Sequence, residues 1–310
     1  MSSRSYHGPS NVAAGMLYGL VAVILFSLTL PATRLALVSF DPVLVGLGRG
    51  LLAACFAAPL LYFTRQRRPS RAQAGSLLIV ILGGIVGFPV LSAWAMQYVP
   101  ASHGAVVIGL LPLSTALTGT LRAHDRPSPL FWFASVLGSV AVVVFALARG
   151  GGHLHWADLA LLGAVIATSL AYAEGGRLAR ELGGWQVTCW SLVLASPFLL
   201  VAVAYLVSKQ GLHGTPTAWA GFAYVSLVSA FLAFFAWFHA LSLGGVAKVG
   251  QVQLFQPFFT LIFSALFFGE TFSTQALLAM ICVALSIYLG RRGGVAFAPS
   301  GKRANGKLEM

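Results

Sequence analysis

Ala74-Gly75-Ser76-Leu77-Leu78-Ile79-Val80-Ile81-Leu82-Gly83-Gly84-Ile85-Val86-Gly87-Phe88-Pro89-Val90-Leu91-Ser92-Ala93-Trp94-Ala95-Met96-Gln97-Tyr98 runs for 25 residues without one Asp, Glu, Lys or Arg. A hydrocarbon layer of about 30 Å is crossed by about 20 mainly apolar helical residues, so this run reads as a membrane span. Nine more stretches read the same way. The ten lie near 13–38, 43–63, 74–98, 103–122, 129–147, 156–178, 187–207, 217–242, 246–268 and 274–291, joined by punctuation such as Phe40-Asp41-Pro42 and Gly150-Gly151-Gly152. Composition points the same way: of 310 residues, 58% are AVILMFWYC, 8% are DEKR, and seven are carboxylates. Ionised groups this few cannot cover a water-facing surface of this size, which excludes a soluble globular protein. The expected fold is an all-α integral membrane protein.

The net charge of +12 raises a nucleic-acid reading, and the positions of the cations dispose of it. With the amino terminus inside, 15 of the 19 Lys and Arg fall in cytoplasmic segments, including Arg65, Arg67, Arg68 and Arg71, then Arg122 and Arg126, and five between Arg291 and Lys307. Positive flanks are retained on the cytoplasmic side during insertion, so both termini are expected in the cytoplasm of a cell whose inner (plasma) membrane holds the chain. Cys55, Cys189 and Cys282 have neither the count nor the spacing of a disulfide framework or a metal site and read as core residues. No cofactor is implied. Residues 1–12 read as a polar tail, 148–155 as an extracytoplasmic linker, and 292–310 as a basic disordered tail. The apolar stretch of the first span exceeds a signal-peptide core, so it is expected to stay.

A shift of 145 residues aligns Ala95 with Ala240, Pro112 with Pro257, Thr115 with Thr260, Asp125 with Glu270, Ser128 with Ser273 and Ala134 with Ala279. It also lays span 4 on span 9 and span 5 on span 10, dividing the chain into two five-helix repeats, 13–147 and 156–291. Five is odd, so the second repeat crosses the bilayer in the opposite sense. Inverted repeats are an architecture of alternating-access transporters, whose substrate sits near the midplane where the halves meet.

The run from Gln256-Pro257-Phe258-Phe259-Thr260 to Phe268-Gly269-Glu270-Thr271 resembles the carboxy-terminal signature of EamA-type transporters of the drug/metabolite transporter superfamily. The first half departs from the family pattern at His124-Asp125 and at Gly50 after Arg49. Length, basic tail and aromatic content are similar to bacterial amino-acid exporters, including the aromatic amino acid exporter subfamily. The resemblance implies a cavity among spans 1, 3, 4, 6, 8 and 9.

Polar groups at membrane depth are costly unless they face the bundle interior or a wet cavity. The candidate substrate-binding residues are Ser27, Thr29, Pro89, Pro112, Ser114, Thr115, Ser169, Tyr172, Ser229, Gln253, Gln256 and Pro257, with Thr168, Ser226 and Thr260 nearby. Pro112 and Pro257 free the carbonyls of Ile108 and Gln253, as presented acceptors or as passive bends. Gln253 and Gln256 share a helix face and read as receiving an ammonium or carboxylate group, or as interhelical bonds. Arg34 and Arg49 are placed near the outer face, either snorkelling with Asp41 as counter-ion or forming a vestibule for a carboxylate. Trp94, Gln97, His103, Trp237 and His239 are gate candidates or interfacial residues. Glu174 reads as an ion pair with Arg177 or as a proton-coupling group. Pairs such as Gly15 and Gly19, Gly46 and Gly50, and Gly83 and Gly87 read as helix contacts.

The expected function is export of small metabolites, amino acids including aromatic ones, by facilitative alternating access, since no buried carboxylate pair offers a coupling-ion site. Expected partners are a small-molecule substrate and membrane lipid, with the chain a monomer or weak homodimer. Alternatives are another metabolite or drug class, a channel or scaffold, and an intramembrane enzyme, for which no Gly-x-Ser-Gly or His-Glu-x-x-His pattern is present. Cationic drugs are disfavoured because no midplane acid awaits them, and nucleotide sugars because little positive charge lies inside.

Overall fold

The computed structural model describes residues 9–99, 107–122, 125–150, 156–256, 258–260, 262–263, 278, 281–282, 285–286, 288–290 and 295–297. Pro9–Ser27 (α1) and Thr29–Ala36 (α2) form one apolar rod interrupted at Leu28. Pro31 explains the break: it has no N–H to give the Ser27 carbonyl four residues earlier. That carbonyl accepts from the Thr260 hydroxyl at 2.7 Å, and the Leu25 carbonyl accepts from the Tyr224 hydroxyl at 2.8 Å. Pro42–Phe63 (α3) opens on Pro42, and the preceding Asp41 side chain accepts from the Val43 and Leu44 N–H groups, satisfying donors that a helix start leaves orphaned. Arg71–Ala95 (α4) begins with a capping box of Ser70 and Gln73 and widens to π-helix over Ile81–Gly87.

Leu111–Arg122 (α5) leads into a short strand, Asp125–Pro127 (β1), and Pro129–Gly150 (α6) follows. The second half holds Ala157–Leu182 (α7), Gly184–Gln210 (α8) and Pro216–Gly244 (α9), the last with a π-helical stretch at Tyr224–Leu232. Val246–Gly250 (α10) tightens to 3-10 geometry over Gln251–Phe255. Among the described residues six helices are long and apolar enough to cross a membrane: Asn11–Ala36, Pro42–Phe63, Arg71–Ala95, Ala157–Leu182, Gly184–Gln210 and Pro216–Gly244.

At the 145-residue offset α1 with α2, α3 and α4 fall on α7, α8 and α9, and Ile81–Gly87 lands inside the π-helical stretch of α9. Packing repeats the same correspondence. Helix α1 lies along α9, its counterpart α7 lies along α4, and α3 packs against α8, its own equivalent. Lipid tails are as apolar as the helices, so association rests on close packing and interhelical hydrogen bonds rather than on hydrophobic burial. A Cβ on Gly15 would stand 2.9 Å from the Gly244 backbone N, and one on Gly83 would land on the Ala167 carbonyl oxygen. Both are helix contacts. Phe26, Tyr172, Trp237 and Phe238 are buried in a core shared by both halves, whereas Tyr62, Phe63, Phe198 and Val201 are exposed on the exterior, as a lipid-facing surface requires.

Two expectations are corrected. Only Cys189 is a core residue; Cys55 and Cys282 are exposed, because each falls on the outward side of its helix. The chain after residue 292 is not all irregular: Val295–Phe297 (β2) pairs antiparallel with β1, Arg126 opposite Ala296, since two extended backbones satisfy each other's N–H and C=O groups.

Candidate functional site

Helix α3 brings a charge into the bundle. Arg49 stands seven residues past the first residue of α3, about 10 Å along the axis at 1.5 Å per residue, and is only 4% exposed. Its Nη2 donates to the Ser229 hydroxyl at 2.8 Å, and Ser229 shares a 2.8 Å hydrogen bond with the Thr29 hydroxyl. The snorkelling reading is therefore wrong for this residue, and Asp41 is not its counter-ion, because that carboxylate is engaged by the start of α3. The second span, outside the set expected to wall the cavity, supplies the cavity's charge.

Arg49, Thr29, Thr168, Tyr172, Ser229 and Gln256 line a narrow cavity, and Phe26, Phe88, Phe234, Leu30, Ile108, Leu111 and Gly84 complete its lining. A second, narrower void adjoins it through Leu30, Ile108, Leu111 and Gln256 and adds Ser27, Gln253 and Thr260. A third shares Arg49, Gly84 and Phe234 and includes Pro89. Every helical element from α1–α2 to the 3-10 turn after α10, α6 and α10 excepted, contributes a lining residue. The ring wall is continuous, with Tyr172 and Trp237 centroids 5.1 Å apart, Phe26 and Phe234 5.2 Å, and Phe26 and Trp237 6.3 Å.

Several buried polar atoms in and around this space have no hydrogen-bond partner: Arg49 Nε, Thr168 Oγ1, Gln253 Nε2 and Trp237 Nε1. All can donate. Among the described residues no Asp or Glu lines the three voids.

Other expected site residues serve elsewhere. Ser114 and Ser169 hydrogen-bond each other at 2.7 Å, and the Thr115 hydroxyl reaches Gln253 Oε1 at 3.5 Å; these bonds tie helices together, and Ser114, Thr115 and Ser169 line none of the three voids. Pro112 follows a turn at 109–110 and likewise lines no void. The Gln253 carbonyl is not a free acceptor, because the Gln256 N–H occupies it, as the tighter 3-10 spacing allows. Pro257 and His103 lie outside the described residues. Trp237 is fully buried among the rings of Phe26 and Tyr172 rather than at an interface. His239 packs edge-on to Tyr18, 4.7 Å between centroids, and Trp94 clusters with Tyr98 and Trp156. Arg34 and Gln97 are exposed. Glu174 makes an ion pair with Arg177 at 3.0 Å and a second one, missed in the sequence, with Arg122 at 3.3 Å. Pro31 was missed too, although a proline four residues after Ser27 signals a freed carbonyl.

A bundle with a lipid-facing exterior, a duplicated helix plan and a polar cavity where the duplicates meet defines a polytopic membrane transporter rather than an enzyme. The chain belongs to the EamA-like transporter family, whose profile matches twice, at residues 13–147 and 155–291. It is 41% identical to the uncharacterized transporter YdeK of Bacillus subtilis (strain 168) over 279 residues, 90% of this chain and 97% of that one. An uncharacterized transporter of Pseudomonas aeruginosa, PA0485, is 26% identical and covers 90% of this chain and 94% of its own. A solved structure described only as a crystal structure of a protein superposes with TM-score 0.73 at 17% identity, over 90% of this chain and 98% of the other, a likeness of fold.

Proposed function

We propose that this transporter exports small metabolites, amino acids including aromatic ones, across the inner (plasma) membrane by facilitative alternating access. The observation that carries the reading is the buried cavity between the two matched segments, whose polar groups come from both: Thr29 and Arg49 from the first, Thr168, Tyr172, Ser229 and Gln256 from the second. Ten spans in two inverted five-helix repeats, with both termini cytoplasmic, suit the positions of the cations and the helix pairing that maps onto itself at the 145-residue offset. A midplane site between repeats can then open to one side at a time as the halves rock. The aromatic wall suits a flat apolar side chain. The chain works in this reading as a monomer or weak homodimer, without cofactor.

The test is counterflow of the twenty amino acids by the purified chain in liposomes. Aromatic amino acids are expected to exchange fastest, and Gln253→Ala with Gln256→Ala is expected to lower exchange at least about tenfold, since both side chains line the polar voids. A flat response across the panel overturns the amino-acid assignment and favours another metabolite class.

A further inference from the structure

Among the described residues that line the cavity one carries a formal charge, and it is positive. A guanidinium keeps its proton at neutral pH, and a charge taken out of water is costly unless it is paired and hydrogen-bonded. Among the described residues Arg49 has one neutral partner, the Ser229 hydroxyl, and no carboxylate; its buried Nε has no hydrogen-bond partner. Around it the unmatched groups are donors as well: Thr168 Oγ1 in the same cavity and Gln253 Nε2 in the adjoining one. A site of this kind is completed by a planar acceptor with one negative charge.

We propose that Arg49 is the docking point for a deprotonated carboxylate of the substrate, and that this group, not an amine, is what the cavity recognises. A carboxylate offers two oxygens to the guanidinium fork. A phosphate monoester brings close to two charges at pH 7, and the described lining has one cation to meet them. An ammonium group finds no acid there and meets at best the ring faces of Phe26, Phe234 and Tyr172. The inference rests on the transport reading above and extends it: des-amino aromatic acids bind as amino acids do.

The experiment measures binding first, by thermal shift and intrinsic tryptophan fluorescence of the full chain in detergent, with four probes that share one ring: phenylalanine, 3-phenylpropionate, 3-phenylpropionamide and 2-phenylethylamine. Phenylalanine and 3-phenylpropionate are expected to bind with comparable affinity, and the amide and the amine at least about tenfold more weakly, the usual effect of losing a charge-assisted hydrogen bond. Arg49→Gln is expected to erase the difference between acid and amide, and Arg49→Lys to restore part of it. Equal binding of amide and acid, binding of the amine alone, or no binding by any probe overturns the proposal, and these outcomes are read on the wild-type chain whether or not the variants fold. Counterflow of the same probes separates the two readings: binding of acids without exchange leaves the docking point standing and removes the export function.

Discussion

Glu174 is buried and holds two guanidinium groups that are half exposed, Arg122 and Arg177. Solvent screens both partners, so the pairs contribute little despite the buried carboxylate. Glu174→Gln is expected to lower the thermal stability of the purified chain by about 1 kcal/mol and to leave counterflow and its pH dependence unchanged. A collapse of exchange at unchanged melting temperature would instead make Glu174 the proton-coupling group. At this scale depth is more legible in the sequence than direction. Thr29, Tyr172, Ser229 and Gln256 were legible as interior polar residues and do meet in one cavity. Ser114, Thr115 and Ser169 share that depth and point between helices instead, because depth along a helix says nothing about which neighbour its sides face. Arg49 misled for a different reason: two helical turns below its cap is near the surface in residue count and well inside in distance.

The broken rod of α1 and α2 is the element with the clearest local cause. Pro31→Ala supplies the missing N–H, so the Ser27 carbonyl can return to its own helix and release the Thr260 hydroxyl. The variant is expected to be more stable in detergent melting, by up to about 3 kcal/mol, and slower in counterflow, because a straight rod loses a place to bend. A faster variant would mean the break is passive. The π-helical stretches of α4 and α9 were less legible. Gly83, Gly84, Gly87 and Pro89 announce a thin, bent helix, and Pro89 removes the donor to the Ile85 carbonyl; Tyr224–Leu232 carries neither glycine nor proline, and nothing in its local sequence explains it.

For the whole molecule, six of the expected spans stand as long apolar helices among the described residues, because hydrocarbon leaves the backbone few alternatives, and the family profile matches two segments, 13–147 and 155–291, one in each half of the chain. The opposed sense of the halves is open to a direct measurement. The α3–α4 connection, residues 64–70, and the α8–α9 connection, residues 211–215, occupy corresponding places in the two halves. In a cysteine-free background, Gln66→Cys is expected to react with an impermeant maleimide only after the cells are opened, and His213→Cys from outside intact cells. Labelling of both from one side would remove the inversion.

The small ribbon of β1 and β2 adds a constraint by parity. Two strands that exchange backbone hydrogen bonds occupy the same aqueous compartment, so the polypeptide leaving Pro127 and arriving at Val295 has traversed the bilayer an even number of times. The six traversals proposed between these points satisfy that rule; an odd count would strand the two partners on opposite shores.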